Sequence, residues 1–418
     1  MVQPTIVRKF NLPAFQFRNY RLFFTGQGIS LIGTWMTRIA TIWLVYHLSH
    51  SAFLLGAVGF ASQIPSFVLA PIGGVLVDRY SRQHALVLTQ ALGMVQSLAL
   101  AVLTLSGTIQ ISHIIALSLF QGCINAFDAP LRQAFVSEMV DDRAALPNAI
   151  ALNSSLFNGA RLVGPAIAGL IITATGVGYC FLIDGLSYIP VIAAFLAMRV
   201  KPKTVSKSDP ISFASINQQF REGLKYALND ASIRPILMLV AIVSFMGMPY
   251  LALAPIFADE ILRGGASTLG LLMSGAGVGA LMAGAYLSLR QGLRGLSSLI
   301  GVAPALMGLG LIGFAGSRVV WISIVMMAIV GFSFLLQFAS SNTIIQTLVE
   351  DDKRGRVMSL YIMSFMGMVP LGNLVAGSLA SWIGAPVTIA IGGGFCIVGA
   401  VWFSQQTRIR QSCGDDLS

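Results

Sequence analysis

Apolar residues run along this chain in long unbroken blocks, separated by short clusters of charge. Uncharged stretches extend from Arg38 to Asp78, Arg82 to Asp128, Arg234 to Asp259, Arg263 to Arg290, Arg294 to Arg318, Arg318 to Glu350 and Arg356 to Arg408. A hydrocarbon core of ~30 Å is crossed by ~20 residues of helix. The 24 residues between Arg234 and Asp259 therefore make one crossing, and the 45 between Arg82 and Asp128 make two. Longer blocks divide at turn signals such as Ser106-Gly107-Thr108 and Gly384-Ala385-Pro386. The blocks do not alternate with period two, which predicts helices and not barrel strands. Twelve spans result, at residues 21–46, 52–77, 84–105, 112–138, 147–173, 179–198, 235–258, 267–289, 296–316, 319–346, 357–381 and 386–404. The expected fold is an all-α membrane protein of two pseudo-symmetric six-helix bundles.

Composition agrees with that pattern: 56% of the 418 residues are hydrophobic and 10% charged, with mean hydropathy +0.79. A soluble domain has no interior large enough for so much apolar surface. The net charge of +10 reads as an orientation signal, because short loops rich in Lys and Arg stay in the cytoplasm. With both termini inside, all of the 26 basic residues except Arg38, Arg161, Arg263 and Arg318 fall in or beside cytoplasmic segments. A nucleic-acid partner, which would need a basic face on a soluble domain, is excluded. No cleavable signal peptide is expected, since the first apolar block is long and lacks a small-residue cleavage site. The four cysteines and four histidines show no metal or disulfide spacing and are assigned to packing or loops. No metal or cofactor is expected, and nothing suggests an enzyme or a receptor.

The longest hydrophilic stretch, residues 199–234, lies between six spans and six more. The expected organisation is a bundle over 1–198, a cytoplasmic linker over 199–234, a second bundle over 235–404 and a cytoplasmic tail over 405–418. Within the linker, Phe213, Ile216, Phe220, Leu224 and Leu228 recur at helical spacing, predicting an amphipathic helix on the inner membrane face. The halves echo one another. VDDR at Val140 matches VEDDKR at Val349, and Gly164, Gly169 and Gly176 have counterparts 208 residues on at Gly372, Gly377 and Gly384. Such repeats are the common plan of secondary transporters, with the substrate site between the halves near mid-membrane.

Between the second and third spans runs GGVLVDRYSRQ, in which Gly74, Asp78, Arg79 and Arg82 resemble the G-x-x-x-D-R-x-x-R cytoplasmic signature of the major facilitator superfamily. Gly164-Pro165-Ala166-Ile167-Ala168-Gly169 is similar to the antiporter motif G-P-x-x-G-G, with Ala168 in place of one glycine. FDAPLRQAF, NGARLVGPAIAG and MPYLALAPIFADEIL narrow the resemblance to the branch of enterobactin exporters and macrolide-efflux-type proteins. That branch implies a twelve-helix fold and proton-driven export of a small amphipathic, siderophore- or drug-like compound across the bacterial inner membrane, by a monomer. A facilitator or flippase for a lysolipid or another metabolite, without proton coupling, shares the fold. One departure matters: Ser118 stands three residues before Gln121-Gly122, where the drug-antiporter pattern has an arginine, so that arginine's role does not transfer.

Small residues at Ala160/Gly164/Ala168 and Gly275/Gly279/Ala283 also fit plain close helix packing in lipid. Pro165 removes the helical donor of the Arg161 carbonyl and predicts a bend. Intramembrane charges are the sharper signal, because each costs at least ~2.5–3.5 kcal/mol at the helix centre when unpaired. Arg38 and Arg161 lie roughly 15–20 Å from the outer ends of their spans at 1.5 Å per residue. The resemblance places spans 1 and 5 at the cavity, so these arginines are candidates for an anionic or carboxylate-bearing substrate, or else tie down carbonyls or Asp184. Asp184, in span 6, is read as an ion-pair partner for Arg161 or Arg38, or as a proton carrier. Asp128 and Arg132, one turn apart around Pro130, are expected to pair as part of a cytoplasmic gate. Asp78 is expected to latch the halves there, against the start of span 11 near residues 355–359 and Arg132.

Overall fold

The structure is a computed structural model that describes residues 13–69, 81–140, 142, 144–199, 225–227, 229–290 and 295–415, without the side chains of residues 351, 352 and 407–415. Gly74, Asp78, Arg79 and almost all of the predicted linker helix lie outside the described residues. Among the described residues, twelve helices are long and apolar enough to cross a membrane: α1 (Arg18–Ser49), α2 (Ala52–Leu69), α3 (Arg82–Leu105), α4 (Ile111–Met139), α5 (Leu146–Ala174), α6 (Val177–Ala197), α7 (Ile233–Ile261), α8 (Gly265–Leu289), α9 (Leu296–Gly316), α10 (Val320–Leu348), α11 (Lys353–Ile383) and α12 (Ala385–Gln406). Among the described residues there is no strand.

Local chemistry sets where these helices start, bend and stop. Ser51 caps α2 by accepting from the Leu54 amide at 3.3 Å. Gln110 and His113 form a reciprocal capping box at the start of α4. The turns predicted at Gly107 and Gly384 have positive φ, at 72° and 84°, and so does Gly176, the repeat counterpart of Gly384, at 102°. Gly176 and Gly384 are the repeat pair, so the same glycine corner closes the fifth span and the eleventh.

Three features depart from uniform helices. α7 carries two π-helical segments, Val243–Gly247 and Phe257–Ile261, on either side of Pro249 and Pro255, which donate no amide hydrogen to the ladder. α11 breaks at Gly367, where Pro370 leaves the preceding turn without a donor. Its first helix begins at Asp351, ahead of the predicted 355–359, so the amides expected to receive Asp78 already lie inside the helix. The last helix continues to Asp415, through the stretch expected to be a separate tail.

Within the first six helices, α3 and α1 pack on α6; within the last six, α12 and α10 pack on α9, and α10 on α8. The two sets meet along α2 with α11 and α5 with α8. At both crossings the backbones touch. A methyl added at Gly377 would lie 2.7 Å from the Ala52 carbonyl oxygen, and one added at Gly169 would lie 2.8 Å from that of Ala266. Gly169 and Gly377 are repeat partners, so one sequence feature makes both joints. These contacts sit in the half of the bundle opposite the chain termini, and α2 continues toward the terminal side with Phe67 against Gly367.

Candidate functional site

A cavity of about 370 Å³ lies between the two sets of helices at mid-depth. Its wall comes mainly from α1, α2, α3, α4 and α5, with Asp184 and Tyr188 of α6 and with Leu251, Ala252, Met273, Ala276 and Asn373 from the second set. Gln121, Asn125, Asp128 and Arg132, on successive turns of α4, carry the lining toward the terminal side. Uncharged amides stand deep in the wall: Gln27, Gln90 and Gln96 are all buried. A membrane helix rarely hides an amide without use for it. Sequence reasoning had followed charges alone and passed these over.

Arg38 and Arg161 come together, as their depth predicted. The Arg38 guanidinium lies 5.3 Å from the Trp35 ring centroid and that of Arg161 5.8 Å from the same ring. Arg161 also faces Phe334 of α10 at 5.6 Å. Such stacking is attractive because the ring face carries negative quadrupole density. Trp35 is in turn braced edge-on by Phe157 at 5.7 Å. Arg38 is exposed and Arg161 half-buried, and both line the cavity, so the surface they show is the cavity wall. The buried Tyr250 of α7 sits in the field of both cations.

Neither arginine pairs with Asp184, which corrects the ion-pair expectation. Asp184 Oδ2 accepts from Ser97 at 2.8 Å, and Oδ1 abuts the bare backbone of Gly33, where a methyl would lie 2.6 Å away. The cause is helix rotation: α6 packs on both α1 and α3, and that packing turns the carboxyl into the contact between them. Asp184 nevertheless borders the cavity.

The expected pair on α4 forms. Asp128 Oδ2 meets Arg132 at 2.9 Å, while Oδ1 accepts from Thr89 at 2.9 Å and Gln90 at 2.7 Å. Asp128 is thus fully engaged within the first half. Arg82 reaches Glu138 at 2.7 Å, a partner the sequence reading missed. Glu138 is an acid at the end of α4 level with the start of α3, and that shared depth was the available signal.

The antiporter-type motif works as a packing joint. A methyl at Gly164 would lie 2.6 Å from Trp35 Cβ, while Pro165 and Gly169 abut Gly270 of α8. The motif thus seats α5 against the tryptophan that carries both arginines and against the other set of helices. A contact not foreseen closes the far side: the Tyr46 hydroxyl of α1 donates to the Glu260 carboxylate of α7.

The profile of the family described as transmembrane secretion effector matches residues 11–417. The chain is 26% identical to a staphyloferrin A transporter of Staphylococcus aureus, over 92% of this chain and 95% of that protein. It is 22% identical to macrolide efflux protein A of Streptococcus pyogenes, over 95% and 98%. Its fold superimposes on a POT family transporter crystallised with a thioalcohol-conjugated peptide, with a TM-score of 0.76 at 12% identity, over 94% of this chain and 96% of that one.

Proposed function

The chain belongs to the transmembrane secretion effector family of the major facilitator superfamily, a family of membrane transporters and not of enzymes, and on that premise we propose that it exports small amphipathic compounds, siderophore- or drug-like, by alternating access driven by inward proton flow. The observation that carries the reading is the mid-depth cavity between two helix sets whose backbones meet on the side away from the termini. With the termini and the 199–234 linker in the cytoplasm of a bacterial inner membrane, the joined backbones lie on the outer side, which supports reading this arrangement as the one closed outside.

Export requires the outer joints to part. Tyr46 must release Glu260, and the Gly169 and Gly377 crossings must separate while the cytoplasmic ends of α4, α5, α8 and α10 close. Such bistable packing is the physical basis of switching in these folds. Among the acids lining the cavity, Asp128 is held by three donors, one of them the Arg132 cation, whereas Asp184 is held by hydroxyl groups and by no cation. Asp184 is therefore the residue we assign to proton exchange. Purified protein in liposomes tests the reading: an inward-acid pH gradient should drive uptake of a transported dye into inverted vesicles, and collapsing the gradient with a protonophore should stop it. Uptake indifferent to the gradient would reject proton coupling and leave a facilitator.

A further inference from the structure

We propose that Arg38 and Arg161 form a two-point anion site that selects substrates carrying two carboxylates on an aromatic or similarly apolar frame. This deepens the export reading and rests on it for its biological meaning, although the binding itself depends on neither direction nor coupling.

The charge balance of the cavity is the first reason. Of the acids in its wall, Asp128 is committed to Arg132, Thr89 and Gln90, and Asp184 to Ser97. Neither is in ion-pair distance of Arg38 or Arg161 among the described residues. Two cations thus line one mid-membrane space with no carboxylate in ion-pair distance among the described residues, whereas intramembrane charges are held by close partners when the protein alone must stabilise them. The missing countercharge is what enters the cavity.

Geometry sets the number and kind of anions. A guanidinium held over a ring face by its charge still offers a fork of N–H donors that matches a carboxylate bidentately. Here two such groups, from α1 and from α5, lie over one indole at 5.3 and 5.8 Å from its centroid, with Arg161 also in hydrogen-bond contact with Tyr250. A single carboxylate satisfies one fork and leaves the other cation uncompensated; two carboxylates satisfy both. The frame follows from the neighbours, since Trp35 and Phe157 line the same cavity edge to face and Phe334 lies against Arg161. A space of about 370 Å³ holds a molecule of drug size. Arg161 lies between Trp35 of one helix set and Phe334 of the other, so an anion held there touches the joint that must move.

The test is calorimetric titration of the purified chain in detergent with three probes of one frame: isophthalate, benzoate and dimethyl isophthalate. Isophthalate should bind at least about tenfold more tightly than benzoate, as a second charge-assisted bidentate pair implies, and the neutral diester should not bind. Arg38→Gln and Arg161→Gln should each bring isophthalate close to the benzoate affinity, with Arg161→Lys in between. Equal binding of isophthalate and benzoate by the wild type would overturn the proposal, as would unchanged isophthalate binding in a variant whose helical circular dichroism and elution match wild type. If a glutamine variant does not fold, the wild-type comparison of the three probes decides alone. Binding of isophthalate without proton-driven movement in liposomes would leave this site standing and reject the export reading instead.

Discussion

The phenolic hydroxyl of Tyr46, near the end of α1, donates to the carboxylate of Glu260 in the last π-helical segment of α7. Tyr46 is buried and Glu260 exposed, so the bond joins the two helix sets at the rim of the closed side. Tyr46→Phe keeps the ring packing and removes only the donor. A hydrogen bond to a charged but exposed group is worth about 1 kcal/mol, or about fivefold in a two-state balance. Spin labels at Thr175 and Ser381, in a background without native cysteines, should show a larger long-distance fraction in Tyr46→Phe. An unchanged distribution would mean that the bond does not hold the rim.

The glycine joints give a sharper wedge. Valine at Gly377 or Gly169 would place methyl carbons against backbone oxygens that are already 2.7 and 2.8 Å from a bare Cβ position, a clash that backbone cannot relieve cheaply. Each variant should insert normally, lose transport by at least about tenfold, and expose the cavity to an impermeant thiol reagent added outside. Gly159→Ala on the same α5 helix, where a methyl meets nothing within 4 Å, should behave as wild type. Loss of transport in Gly159→Ala as well would make the effect one of helix propensity.

Asp128 holds the inner part of α4 in place. Asp128→Ala strands Arg132, Thr89 and Gln90 together, and breaking a largely buried pair in this way costs about 3 kcal/mol. Thermal unfolding in detergent should shift downward by several degrees, and Asp128→Asn, which still accepts from Thr89, should shift by less. Equal stability of all three proteins would remove the anchoring role.

Transport chemistry is expected to fail separately at Asp184. Asp184→Asn keeps a group able to accept from Ser97 and removes the carboxyl proposed to exchange the proton. Gradient-driven transport should fall by more than about tenfold while counterflow of substrate across the liposome membrane survives. Persistence of gradient-driven transport in Asp184→Asn would move the proton site elsewhere.

What the sequence made legible divides along physical lines. Span number and turn position were readable because a bilayer forbids unpaired backbone and forces long apolar helices. Gly107 and Gly384 could be read as corners because few other residues adopt their φ, and Gly176 followed only as the repeat counterpart of Gly384. The paired depth of Arg38 and Arg161 also followed from rise per residue alone. The direction of Asp184 did not, since it depends on how α6 is rotated against α1 and α3. Tyr46 with Glu260 was likewise hidden, because the pair joins residues far apart in the chain, whereas Glu138 with Arg82 left only their shared depth as a signal. The break at Gly367 and the earlier start of the eleventh helix depend on local geometry that hydropathy does not register.

Alternating access is the central claim, and paired distance measurements test it most directly. Pulsed spin resonance in lipid nanodiscs would follow Thr175 with Ser381 on the outer side and Ser137 with Ser288 on the terminal side, from pH 8 to pH 5. The account predicts two populations in each pair, with the long outer fraction rising as the short terminal-side fraction rises, and a pH response that Asp184→Asn abolishes. Outer distances that stay single and unchanged in an actively transporting protein, or both sides lengthening together, would contradict it.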